Sequence, residues 1–159
     1  PHVNTADEAR IVAESSKFYP LGNRGISTGR QGFGVKDYTL KANNETLVII
    51  MIEDIIAVEN LAEILTVDNI DIFYLASMDL SQSMGLLDQP NHPQVLKTID
   101  ESISKIVAAG RIAGIGVTDS NVESYIQKGV SFVVAKIHPW LEKGAKDFLD
   151  RCKKNKKLI

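Results

Sequence analysis

Leu47-Val48-Ile49-Ile50-Met51-Ile52-Glu53 and Ile70-Asp71-Ile72-Phe73-Tyr74-Leu75-Ala76-Ser77-Met78-Asp79 decide the fold. Each opens as a strand-length apolar run and meets an acidic residue at or just beyond its carboxyl end. Near-continuous apolar runs of this length mark strands buried on both faces of a parallel sheet. Between them Ala57, Val58, Leu61, Ile64 and Leu65 share one helical face. Strand, helix and strand in so short a stretch form a βαβ unit, which brings consecutive strand ends to one side of the sheet. Ligands bind at the carboxyl ends of strands in such folds. Glu53 and Asp79 would stand side by side there, an arrangement suited to one hard divalent cation.

The same alternation continues on either side. Thr5-Ala6-Asp7-Glu8 is a capping box that opens a helix with Ala9, Val12 and Ala13 inward, ending near Tyr19-Pro20. A Gly-rich stretch, 22–34, carries Arg24 and Arg30, and a short helix is expected around Tyr38 to Ala42. Pro90-Asn91-His92-Pro93 marks a loop, after which Val95, Ile99, Ile103, Ile106 and Val107 follow helical spacing up to Gly110. Ile112 to Val117 reads as a third strand, ended by Thr118-Asp119. Ser120-Asn121-Val122-Glu123 reads as a second capping box, for a helix that stops at Gly129. Val130 to Ala135 is the fourth strand, and a last helix runs from about Trp140 to Cys152. The order βαβαβαβα, with one helix in front, implies a parallel sheet covered by helices. Periodicity alone leaves an open doubly wound sheet and half of a barrel equally available.

The 159 residues suffice for one domain, 1–159, with a substantial core. A net charge of −2 leaves no electrostatic footprint for nucleic acid. Lys153-Lys154-Asn155-Lys156-Lys157 reads as a solvated last turn and tail, where cations suit a helix C-terminus. Cys152 is the single cysteine, which rules out an intramolecular disulfide. The apolar runs fall far short of the ~20 residues of a membrane helix. No signal-peptide pattern is visible, so a cytoplasmic location is expected. The start at Pro1-His2-Val3, without Met, suggests an excised or incomplete N-terminus.

Pro1-His2-Val3-Asn4-Thr5-Ala6-Asp7-Glu8-Ala9, Tyr19-Pro20-Leu21-Gly22-Asn23-Arg24-Gly25, Ile52-Glu53, Val67-Asp68-Asn69-Ile70-Asp71, Asp79-Leu80-Ser81 and Met84-Gly85 through His92-Pro93 stand in one order. Together they resemble the HpcH/HpaI aldolase and citrate lyase family of phosphoenolpyruvate/pyruvate-type barrels, collinearly and over nearly the whole chain. The resemblance implies an α/β (β/α)8 TIM barrel, of which this chain covers roughly the second half, the last four strands and their helices. A barrel of this type needs ~250 residues, which implies about 90 to 100 more on the N-terminal side. It implies a carbon–carbon lyase, a class II 2-oxo acid aldolase that works through a metal-stabilised pyruvate enolate. The family's metal glutamate falls on Glu53 and its metal aspartate on Asp79, with Mg²⁺ or Mn²⁺ as cofactor. Ser77, Met78 and Asp79 fall where backbone N–H groups hold the substrate carboxylate. The catalytic histidine and arginine are expected upstream of Pro1, so no catalytic residue is assigned within the chain. The implied partners are a 2-oxo acid such as pyruvate, an aldehyde, and further copies of the chain in a homo-oligomer, with no nucleic acid and no membrane. Three positions depart from the pattern: Met51 where Gln is common, Ala76-Ser77 where Gly-Pro is usual, and His138-Pro139 where an aspartate-containing turn is common.

Taken singly, Glu53 and Asp79 would each read as an acid at a helix start; their pairing on adjacent strands favours ligation. The Gly-rich segment lacks the strand–turn–helix context of phosphate loops and reads as a loop beside the barrel mouth. His2 either faces the site or is an ordinary loop residue. His92 reads as a turn residue and Asp119 as a helix cap. Lys136, interrupting the apolar run from Phe132 to Ile137, is either a Schiff-base lysine or reaches solvent along its aliphatic stem, the stronger reading. A rival from outside enzymology is a non-catalytic fragment or divergent homologue that binds small acids or serves assembly.

Overall fold

The computed structural model describes residues 1–27 and 29–154. Four strands, β1 (Ile49–Ile52), β2 (Ile72–Leu75), β3 (Ile112–Val117) and β4 (Phe132–Ala135), form one sheet in the order β1-β2-β3-β4. Every neighbouring pair is parallel, as the alternation with helices requires. The register aligns Ile52, Leu75, Ile115 and Val133 in one row and Met51, Tyr74, Gly114 and Phe132 in the row before it. Side chains alternate across a strand, so these rows face opposite ways.

One face carries the core. Ile50, Ile52, Phe73, Leu75, Ala113 and Ile115 pack in a cluster with Leu61, Ile64, Val95, Ile99, Ile103 and Ile106. The last four of these lie on α6 (Pro93–Ala108) at the predicted spacing. Each fully buried side chain of this size contributes roughly 1.5–3 kcal/mol. Gly110 ends the helix at φ +70°, a left-handed conformation that favours glycine. The other face presents Ile49, Met51, Tyr74, Ile112, Phe132 and Val134; Ile49, Ile112 and Val134 are exposed.

The strands are shorter at their amino ends than the apolar runs. Val48 and Asp71 precede the ladder, and the Asp71 carboxylate accepts from the Val48 N–H at 2.6 Å, joining the approaches to β1 and β2. α1 (Ala6–Ser16) begins with the expected capping box: the Glu8 N–H donates to Thr5 Oγ1, and Glu8 accepts from the Thr5 N–H. α2 (Tyr38–Glu45) runs three residues further than expected.

Four expectations need correction. The helix between β1 and β2 is two short pieces, α3 (Ile55–Glu59) and α4 (Leu61–Ile64), meeting at Asn60. Asn60 donates its side-chain amide to the Asn4 carbonyl at 2.9 Å, holding the break against the chain ahead of α1. The second capping box does not form. α7 (Val122–Gln127) starts after Asn121, whose Oδ1 instead accepts from the Thr118 N–H at 2.7 Å. Asp119 caps no helix: its Oδ1 accepts from the indole Nε1 of Trp140, on α8 (His138–Lys154). His92 is more than a turn residue, because it is the N-cap of α6 and its Nδ1 accepts from the Gln94 N–H. Within the Gly-rich segment Gly29–Gly32 forms a 3-10 turn. Thr28 and the tail Asn155, Lys156 and Lys157 lie outside the described residues; Lys153 and Lys154 close α8.

Candidate functional site at the carboxyl ends of the strands

Glu53 directly follows β1 and continues the alternation of Ile49 and Met51, on the face away from the helical core. Its neighbours at that level across the sheet are Ala76 and Gly116, one position beyond the paired row of Ile52, Leu75 and Ile115. The residue is only 5% exposed. One oxygen, Oε1, accepts from the backbone N–H of His2 at 2.5 Å. Among the described residues the one basic side chain within ion-pair distance is that of His2, with Nδ1 at 3.6 Å from the same oxygen and its ring largely in solvent. Among the described residues Oε2 takes no hydrogen bond. A buried carboxylate without a full countercharge is costly, so this oxygen is suited to a cation. His2 therefore meets Glu53 through its backbone, in a left-handed conformation at φ +56°.

Asp79 lies just beyond the end of the neighbouring strand, β2. β2 passes through Ala76 into α5 (Ser77–Ser83), a short helix whose first turn holds Asp79, as expected of an acid at a helix start. Asp79 sits in its first turn, exposed, where an acid favours the positive end of the helix. Leu80 is the first residue of α5 to donate to a backbone carbonyl, that of Ala76, at 2.9 Å. The amides of Ser77, Met78 and Asp79 have no backbone acceptor, as expected at a helix start. Two bonds tie this segment to the Glu53 side. The Ala76 N–H donates to the Ile52 carbonyl at 3.2 Å, and the Ile55 N–H donates to Ser83 Oγ at 2.8 Å. Met78 is 49% exposed and Ser77 half-buried.

Tyr74 is a residue of this region that the sequence reading passed over. Burial pushes its phenol above the ordinary value, and the Asp79 carboxylate adds to the shift. The side chain is therefore close enough to feel Asp79 and stays protonated at neutral pH. The signal was the strand alternation itself, which aligns Tyr74 with Met51 on the face that Glu53 continues.

Among the described residues no group of three or more His, Cys, Asp or Glu side chains converges as a metal cage. Glu53 follows β1 and Asp79 lies in the first turn after β2, the neighbouring strand; two carboxylates are a donor set of the size Mg²⁺ takes, since that ion uses one or two and leaves its other positions to substrate and water. Lys136 follows β4 and is exposed, without the desolvation that activates a Schiff-base lysine. Arg24 lies over the Phe18 ring at 4.8 Å, and His92 is committed to its helix cap.

No helix among the described residues is long and apolar enough to cross a membrane. The profile of the HpcH/HpaI aldolase/citrate lyase family matches residues 1–135. A 2-keto-3-deoxy-L-rhamnonate aldolase of Klebsiella pneumoniae is 37% identical over 92% of this chain and 57% of its own. The crystal structure of an HpcH/HpaI aldolase/citrate lyase family protein from Burkholderia cenocepacia superposes with TM-score 0.86 at 25% identity, covering 96% of this chain and 63% of that one. Macrophomate synthase shares the fold, with TM-score 0.80 at 22% identity over 99% of this chain and 58% of that one. The chain thus spans a little over half the length of the curated relatives it matches, and its four parallel strands correspond to part of a TIM barrel. With the strand order, the acids at two adjacent strand ends and these likenesses together, the chain belongs to the HpcH/HpaI aldolase/citrate lyase family.

Proposed function

We propose that the protein containing this chain is a divalent-metal-dependent aldolase that makes or breaks a carbon–carbon bond in a 2-oxo acid. The observation that carries the reading is Glu53, a buried carboxylate with one oxygen unbonded, at a strand end beside the segment that bears Asp79. Glu53 and Asp79 are the proposed ligands. A bound Mg²⁺ or Mn²⁺ supplies Lewis-acid stabilisation of charge on the substrate oxygens. The chain's own part is to hold and orient. The free amides of Ser77, Met78 and Asp79 favour the 2-oxo acid carboxylate, and the His2 N–H fixes the Glu53 oxygen that does not face the ion. Proton transfer is assigned to no side chain described here.

The relatives' name supports a 2-keto-3-deoxy sugar acid as substrate, whose retro-aldol cleavage releases pyruvate and an aldehyde. The proposed location is cytoplasmic, and the proposed assembly is a homo-oligomer. Trp140, Leu141, Phe148 and Leu149 of α8 are all exposed, which favours association and also suits the second reading, a chain that serves assembly without catalysis.

Calorimetric titration of Mg²⁺ or Mn²⁺ with pyruvate present, on the protein at its natural length, tests the ligand pair. Solvent deuterium exchange into the pyruvate methyl group tests the chemistry. Metal-dependent exchange that a chelator stops is expected. Metal-independent exchange sinks the metal mechanism, and a protein that binds neither metal nor pyruvate returns the assembly reading.

A further inference from the structure

We propose that the Tyr74 hydroxyl is a hydrogen-bond donor to the bound 2-oxo acid, and that Gly116 is a positioning residue that keeps its place clear. This rests on the 2-oxo acid reading and names a contact within that same site. Tyr74 leans from β2 across β3 over two glycines. A Cβ at Gly114 would meet the Tyr74 ring at Cδ2 at 3.2 Å, and one at Gly116 would meet the hydroxyl oxygen at 3.1 Å. Gly116 lies two residues further along β3 than Gly114, so the ring is tilted toward the carboxyl end of the sheet. The hydroxyl thereby reaches the level of Ala76 and Glu53, although the Cα of Tyr74 is paired two rows lower with Met51.

Among the described residues this hydroxyl makes no hydrogen bond. It is a donor at the end of the sheet where an anionic ligand is proposed. A phenylalanine would fill the same space against Gly114, so packing does not call for the hydroxyl, which is left accessible to a ligand. The glycine at 116 has a matching cost: an alanine there sits closer to the hydroxyl than ordinary van der Waals contact and pushes it aside by a few tenths of an ångström.

The test titrates pyruvate by calorimetry into the Mg²⁺-loaded protein at its natural length, for wild type, Tyr74→Phe, Gly116→Ala and the double variant. Tyr74→Phe should weaken pyruvate binding about tenfold, the value of one hydrogen bond to a charged acceptor. Affinity for Mg²⁺ alone and the melting temperature should stay where they are. Gly116→Ala should weaken pyruvate in the same direction. In the double variant the alanine should cost nothing further, because the atom it displaces is gone. In turnover, KM should rise more than kcat falls. Unchanged pyruvate affinity in Tyr74→Phe, or two losses that add, overturns the assignment while the aldolase reading stands. A wild-type protein that binds Mg²⁺ but no 2-oxo acid overturns both.

Discussion

Replacing Glu53 by glutamine should raise the stability of the metal-free protein and abolish its response to Mg²⁺. The carboxylate is 5% exposed and has no full countercharge: its Oε1 takes the His2 N–H at 2.5 Å, and the His2 imidazole stands 3.6 Å away in solvent. Glutamine keeps an oxygen for that N–H and removes the charge. Taking an ion out of water costs several kcal/mol, reduced here by the hydrogen bond and the nearby surface, so the gain should be about 1 kcal/mol. In a chain of this size that raises the melting temperature by roughly 2–4 °C. Ligand linkage acts the other way. Mg²⁺ at about 100 times its dissociation constant stabilises the wild type by about 2.7 kcal/mol, or roughly 5–11 °C. The variant should show no such shift. The assay is thermal unfolding with and without Mg²⁺, followed by circular dichroism on both proteins at their natural length. A Glu53→Gln protein that melts lower than wild type yet still gains stability from Mg²⁺ would show that Glu53 supports the fold and is no ligand.

Asp79→Asn should also lose the Mg²⁺ response but melt slightly lower, because an exposed acid in the first turn of α5 contributes about 0.3–1 kcal/mol; retained metal affinity by calorimetry would remove Asp79 from the site. Borohydride added with pyruvate should leave the intact mass unchanged, since Lys136 is exposed; an adduct on Lys136 would move the chemistry to a Schiff base. Arg111→Ala should destabilise by about 2–3 kcal/mol in a denaturant titration, because one guanidinium nitrogen donates to the carbonyls of Val67 and Ile70 at 2.7 and 3.0 Å and the group lies over Phe73. Stability should fall in strong alkali. Burial, aided by Asp79, raises the Tyr74 phenol; burial and Asp100 raise Tyr125 against the opposing pull of Lys128. The folded state holds these protons more tightly, so their contribution is complete below the unfolded value near 10 and is lost as pH climbs through the higher folded values. Tyrosinate absorbance that rises before unfolding, with no loss of stability, would contradict that order.

Much of the fold was legible because its signals are local. Ile49 to Ile52 and Ile72 to Leu75 are apolar on both faces, Val95 to Ile106 repeats with the helical period, and Gly110 stops that helix where a left-handed residue is needed. Where side chains chose distant or competing partners, local reading failed. Asn121 closes on Thr118 and so displaces the expected Ser120 cap; Asp119 reaches Trp140, twenty-one residues on. Asn60 bonds to Asn4 across fifty-six residues and breaks what the periodicity read as one helix. Lys17 is buried because its amine finds the carbonyls of Asn43 and Thr46, a pairing that no short-range pattern announces.

By itself the sequence determined the alternation of strand and helix and the parallel sheet, because a period of two or of 3.6 is written in neighbouring residues. It also picked Glu53 and Asp79 as candidates, since an acid closing a buried strand is visible without coordinates. Only the tertiary structure decided their environments. Glu53 is buried with one oxygen held by His2, whereas Asp79 stands exposed on a short helix. The sheet register likewise set the Tyr74 hydroxyl over Gly116, forty-two residues away. Burial, charge and contact belong to positions in space, and the pairing of β1, β2 and β3 brings those positions together after the local pattern has been spent.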